Sequence, residues 1–237
     1  MYVWVFQGQL GEGKTFGMSV LGWHFVAKAR RSGIHADLYA NFDLQGAKPL
    51  TSYRDFYQVA RSEASICLLD EAHVNLDARL FHRGANIYMT QFFFYLRKLS
   101  ASLFMTTPHI RNLDSRMRQL TNILVDCHKI TGGFLYEIYD YQSERLLRRK
   151  FLPIHVAKQI FATGMYDSHA IIRAVEFPSN ERAFDRFLDQ IIEIREGSKK
   201  LENVENELED NEEKLVEKFS ESKPAKKSPK TASKKRS

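Results

Sequence analysis

The chain has 237 residues, 43% of them hydrophobic and 12% aromatic, and carries 35 Lys/Arg against 29 Asp/Glu for a net charge of +6. That is enough for one good-sized core, or one core and a tail, and it excludes a wholly disordered polymer. No stretch approaches ~18 uncharged apolar residues, so no membrane span is expected. Charge is unevenly spread: residues 198–221 hold 4 Lys/Arg against 9 Asp/Glu, and residues 222–237 hold 7 against none. Cys67 and Cys127 each lie in an apolar run, which fits buried reduced thiols and a cytoplasmic compartment.

The first element is the apolar run beginning at Tyr2, which breaks into glycines and then into helix-forming residues. It lacks the basic start of a secretory signal. Gly8, Gly13, Lys14 and Thr15 meet the pattern G-x-x-x-x-G-K-[ST], preceded by a strand and followed by a helix, as that motif requires. Glycines let backbone N–H groups turn inward onto phosphate oxygens, Lys14 reaches the β- and γ-phosphates, and the Thr15 hydroxyl ligates Mg²⁺. The expected cradle is Gly8, Gln9, Leu10, Gly11, Glu12, Gly13, Lys14, Thr15 and Phe16, with ATP and Mg²⁺ as cofactors.

Phe16 to Arg31 reads as a helix that is apolar almost all round, closed by Gly33. A second strand is expected at Ala36–Asn41 and a short amphipathic helix from Pro49 to Ala60. Ser65 to Glu71 is an uninterrupted apolar run ending in two acids, the pattern of a parallel strand covered on both faces. Carboxylates at a buried strand's end call for a cation. Asp70 is expected to hold the metal, and Glu71 to take the proton from the attacking water. Asp70-Glu-Ala-His73 also spells a helicase signature, but those enzymes need two such domains and this chain offers one phosphate loop.

Asn86 to Ser100 is an aromatic helix whose consecutive phenylalanines point partly to another surface. The strand Ala101–Thr107 ends at Pro108 and should bring Thr106 or Thr107 beside Asp70 to sense the γ-phosphate. A short helix over Asn112–Leu120 precedes strands at Asn122–Lys129 and Phe134–Tyr141, turned at Gly132-Gly133. A basic edge strand spans Arg145–Phe151, and helices cover Pro153–Tyr166 and Ser179–Ile194. Leu201, Val204, Leu208 and Leu215 fall short of three clean heptads. The chain thus divides into an α/β domain over 1–196, a charged helical extension over 197–221 and a disordered basic tail over 222–237.

These motifs resemble the zonula occludens toxin-like ATPases, which include the assembly ATPases of filamentous phages. Gly8 to Thr15, Leu68-Leu69-Asp70-Glu71, Asn75 to Arg79, Leu96-Arg97-Lys98-Leu99 and Leu113-Asp114-Ser115-Arg116 follow that family's order over residues 1 to about 130. The resemblance implies a RecA-like P-loop NTPase with a mainly parallel central sheet flanked by helices, of the FtsK/HerA type. It implies a homo-oligomeric ring that hydrolyses ATP to move viral DNA in the host cytoplasm, during virion assembly or genome packaging. It places catalytic arginines at Arg79 and Arg97, acting beside Lys14 and Glu71. Arg83, Arg111 and Arg116 are further candidates, and all five are expected near the cleft's rim. Relatives that extrude virions carry a membrane span, so the reading here is of a motor that packages DNA or docks on a separate capsid or membrane assembly protein. Two other readings stay open: a nucleotide switch or partitioning ATPase, and a nucleic-acid-binding structural protein with a vestigial loop.

Overall fold

The computed structural model describes residues 2–74, 84–165, 172 and 174–197. The expectations for Arg79, Arg83 and residues 198–237 lie outside them. Strands β1 (Val3–Gln7), β2 (Ala36–Ala40), β3 (Lys48–Pro49), β4 (Ala64–Leu69), β5 (Ala101–Thr107), β6 (Ile123–Ile130), β7 (Gly133–Asp140) and β8 (Arg145–Pro153) form one sheet in the order β3-β2-β4-β5-β1-β6-β7-β8. From β3 through β6 all neighbours are parallel, and β7 and β8 add an antiparallel wing. Parallel neighbours need crossovers, which helices α1 (Lys14–Arg31), α2 (Asp55–Arg61), α3 (Gly84–Tyr95) and α4 (Ser115–Leu120) supply. This is the RecA-like P-loop NTPase fold, with the strand after the loop strand in sequence displaced from it by two others.

Register sets the site. Phe6 pairs with Thr106, Gln7 with both Thr107 and Asp126, and Leu69 with Met105. β1 and β5 therefore end level, β4 stops two residues short of them and β6 runs on past Asp126; the residues just beyond β1, β4 and β5 share one rim, where open α/β sheets bind their ligands.

Strand residues alternate between two cores. On one face Phe6, Leu38, Leu68, Phe104 and Val125 pack with α1 and with helix α5 (Ile154–Ala162). On the other, Phe56 of α2, Phe92 of α3 and Phe187 of helix α6 (Glu181–Arg195) form an aromatic cluster with ring centroids 4.6 to 4.9 Å apart for the closest pairs. Phe92 and Phe93 are fully buried and only Phe94 of the consecutive three is exposed, at 49%. The aromatic helix expected to meet another surface therefore mostly fills the core, because α6 covers it.

Helix α2 starts at Asp55, not at Pro49. The Asp55 carboxylate accepts the Thr51 and Ser52 N–H groups at 2.7 and 2.9 Å, while Lys48–Pro49 pairs with the sheet edge. The short helix expected over Asn112–Leu120 splits into a 3-10 turn at Ile110–Asn112 and α4, because the Asp114 side chain caps α4 through the Arg116 N–H.

Candidate nucleotide-binding site

The loop between β1 and α1 is built by backbone geometry. Gly13 sits at φ 79°, where a β-carbon would also lie 2.7 Å from the Phe134 ring. Only glycine satisfies both demands. One turn on, a β-carbon at Gly17 would meet the Tyr136 ring at 2.4 Å, and the Tyr136 hydroxyl donates to the Gly13 carbonyl at 3.1 Å. Strand β7 thus clamps the start of α1, a contact that local sequence does not reveal.

No side chain caps α1 at Gly13 and no acid lies in its first turn, so its first N–H groups and its positive dipole end are available to an anion. A carboxylate already uses part of this cradle: Glu12 accepts the Gln9 N–H. Lys14 is buried, with Nζ donating to the Gln9 carbonyl at 3.0 Å. Leu10 stands at the loop's apex, 95% exposed, and Gly11 beside it is exposed too. Phe16 points the other way: its ring is buried and stacked on Phe161 at 4.5 Å.

Across the rim, the Thr15 hydroxyl donates to Asp70 at 2.9 Å from Oδ1, and the Thr106 hydroxyl donates to the same oxygen at 2.5 Å. Thr106 Oγ1 also accepts the Glu71 N–H at 2.9 Å, which pins Glu71 in a left-handed conformation at φ 50°. Asn41, at the tip of β2, clasps the backbone of Asp70 from both sides, donating to its carbonyl at 3.0 Å and accepting its N–H at 2.7 Å. Burial pushes the Asp70 carboxyl above the usual carboxylate range, against the pull of the Thr106 and Thr15 hydroxyls. The Glu71 carboxylate is half-buried, 3.3 Å from His73 Nδ1. The two thiols are free and buried, and burial pushes Cys67 up to about 12, which makes it inert.

Of the two threonines expected beside Asp70, Thr106 takes that place and Thr107 does not. Thr106 and Thr107 are fully buried; the first hydroxyl is spent on Asp70 and the second donates to the His109 carbonyl at 3.1 Å. Arg97 is also displaced from its expected place. It is exposed in the turns between α3 and β5, so it sits at the strands' N-terminal ends, with the whole of β5 between it and Asp70. Arg111 and Arg116 follow β5 on the rim side, and Arg116 is held by Asp114 at 3.0 Å.

No protein-family model and no curated protein matches the sequence. Among solved structures, the N-terminal domain of zonular occludens toxin from Neisseria meningitidis is 17% identical, covers 70% of this chain and 98% of its own, and has a TM-score of 0.51. This chain shares that domain's fold. The genome packaging NTPase B204 from Sulfolobus turreted icosahedral virus 2, solved with ATP-gammaS, is 12% identical, covers 64% of this chain and 97% of its own, and has a TM-score of 0.44. Among the described residues no helix is long and apolar enough to cross a membrane.

Proposed function

We propose that this chain binds ATP with Mg²⁺ and hydrolyses it. The observation that carries the reading is the Thr15–Asp70 contact of 2.9 Å, which joins the phosphate loop to the acid-ended strand across 55 residues of sequence. The donor set suits Mg²⁺. Among the described residues no group of three or more His, Cys, Asp or Glu converges, and a hydroxyl beside one carboxylate is how a cation that keeps its waters and takes phosphate oxygens is held. When bound, the ion neutralises charge developing on the β- and γ-phosphates.

Lys14 would exchange the Gln9 carbonyl for phosphate oxygens, and Glu12 would yield the Gln9 N–H to them. Asp70, fixed by Asn41 and Thr106, and the Thr15 hydroxyl would hold the metal. Glu71, oriented through its backbone by Thr106, would accept the proton of the attacking water.

The motor role rests on the sequence resemblance together with the shared fold: a ring that translocates viral DNA in virion assembly or packaging, in the host cytoplasm, with a capsid or membrane assembly protein as its docking partner. ATPase rate measured with and without single- and double-stranded DNA tests both levels. Wild type should turn over ATP faster with one of the DNAs. Lys14→Ala should lose binding or turnover, and Glu71→Gln should bind ATP without hydrolysing it. Wild-type turnover by Glu71→Gln would remove Glu71 from the mechanism, and a rate indifferent to either DNA would remove translocation.

A further inference from the structure

Strands β7 and β8 extend the parallel sheet as an antiparallel wing, and β8 is the last strand of the sheet, exposed at every residue from Arg145 to Phe151. It carries Arg145, Arg148, Arg149 and Lys150 and no acid. Charge along an edge strand discourages stray pairing with other strands. That role needs cations along the edge and has no use for a particular face.

The register of β8 does favour one face. Arg148 stands opposite Ile138 and Lys150 opposite Tyr136, whereas Leu146 stands opposite Tyr139 and Arg145 opposite Asp140, so Leu147 is an extra residue in a β-bulge. Strict alternation would turn Arg145 to the face away from Arg148 and Lys150. The bulge brings it round to join them. On the three strands of the wing this face also presents Lys129, opposite Phe134, and its one carboxylate is Asp140. Helix α5 packs on the same face through Ala157 and adds the exposed Lys158 and no acid. Arg149, on the other face, is held by Glu137 at 2.6 Å, but Arg148 and Lys150 have no carboxylate partner among the described residues.

We propose that this face of the wing binds the phosphodiester backbone of DNA, with Arg145, Arg148 and Lys150 as phosphate contacts. A rise of about 3.3 Å per residue spreads the three in a line of roughly 15 Å, which suits a polyanion with charges at regular intervals. An anionic membrane fits less well. Interfacial binding needs apolar side chains beside the cations, and the exposed Leu146 and Phe151 stand opposite Tyr139 and Leu135, on the other face. Phosphate contacts carry no sequence information, as a motor that moves along DNA requires. Lys150 also lies directly across from Tyr136, whose hydroxyl donates to the Gly13 carbonyl, so the contact is one strand away from the phosphate loop. The inference deepens the DNA part of the reading above and rests on it.

The test is fluorescence anisotropy of labelled single- and double-stranded oligonucleotides of random sequence, titrated with the full chain over a series of salt concentrations. Each phosphate contact adds about 0.9 to the slope of log affinity against log salt on duplex and about 0.7 on single strands. Arg148→Gln with Lys150→Gln should weaken binding and flatten that slope by about 1.8 or about 1.4, and Arg145→Gln alone by about half as much. Arg182→Gln with Arg186→Gln, an equal loss of charge on the exposed side of α6, should leave the slope unchanged. The seven Lys/Arg of residues 222–237 are common to all these proteins and cancel in the comparison. No flattening by the β8 variants, or equal flattening by the α6 pair, would overturn the assignment while the DNA reading stands. Loss of binding to phosphatidylserine vesicles with DNA affinity unchanged would overturn it in favour of a membrane surface. If wild type binds neither DNA, translocation and this inference fall together, and the nucleotide reading stands.

Discussion

Asp70 is a carboxylate that costs the fold stability. It is 5% exposed, and its partners Thr15 and Thr106 are neutral hydroxyls, which do not offset a buried charge as a cation would. Asp70→Asn keeps an oxygen for both hydroxyls and removes the charge. The variant should therefore melt higher than wild type without nucleotide, by about 2–4 °C for each kcal/mol relieved in a chain of this size. It should also lose the rise in Tm expected of wild type with Mg²⁺ and ATPγS. Scanning fluorimetry checks both, and a lower Tm for the variant would show that the charge is well accommodated. Lys14, Thr15, Asp70 and Glu71 were legible in the sequence because each belongs to a pattern of adjacent residues whose chemistry is explicit. Thr106 beside Asp70 was legible as well, as the end of the next apolar strand, but Asn41 was not, since it acts on Asp70 from 29 residues away and only the sheet order makes the two neighbours. The sequence signal for Asn41 was a polar residue ending an otherwise apolar strand, and that pattern is common at turns.

Among the elements, the strands were the most legible and the helix starts the least. A buried parallel strand announces itself by an apolar run, while a helix start depends on which side chain caps it. Asp114 shows how much one cap decides. It accepts the Arg116 N–H at 2.8 Å and the Arg116 side chain at 3.0 and 3.2 Å, and it sits between the 3-10 turn and α4. Burial raises its carboxyl, but the hydrogen bonds and charge of Arg116 outweigh that and hold it below the usual range. A carboxyl depressed in the fold adds stability that is fully present above its unfolded value, near 3.9, and is lost as pH falls through the folded value. Asp114→Ala should then cost about 1–2 kcal/mol in urea unfolding at pH 7. The gap to wild type should shrink once the pH drops below the ordinary carboxylate range. A gap that does not change with pH would mean that the ion pair contributes nothing beyond shape. The docking of α6 was hidden in another way. Its apolar stripe was visible, but its target was not: the Tyr57 hydroxyl donates to Gln190 at 2.6 Å, and Arg195 donates to the Ser62 carbonyl at 2.8 Å and to Ser100 Oγ at 3.0 Å.

At the scale of the whole molecule, Asp70 and Glu71 are met by Thr15, Thr106 and His73, none of them an arginine, and the arginine that completes such a cleft is worth roughly 10³- to 10⁵-fold in rate. Its source would report how neighbouring copies meet. Arg97 lies at the strands' N-terminal ends, a strand length of roughly 20 Å from the cleft of its own chain. It can serve only a neighbour, and only if the N-terminal ends of one sheet face the C-terminal rim of the next. Arg111 is exposed on the rim itself and would serve a ring in which neighbours meet along their rims, or its own cleft. A ring built from head-to-tail contacts repeats one such interface around the circle, so only one of these geometries holds. Mixing experiments separate them. If Arg97 is the finger, Arg97→Ala should keep ATP affinity and lose turnover, and mixing it with Lys14→Ala should restore part of the rate by pairing an intact cleft with an intact finger. Specific activity should also rise with protein concentration. If Arg111→Ala shows this behaviour instead, the rim-to-rim arrangement holds. Loss of turnover in Arg111→Ala without rescue in the mixture, together with a rate independent of concentration, would place the arginine in its own chain's cleft. That outcome would point to a monomer or to an arginine acting in cis, and would weaken the translocating-ring reading.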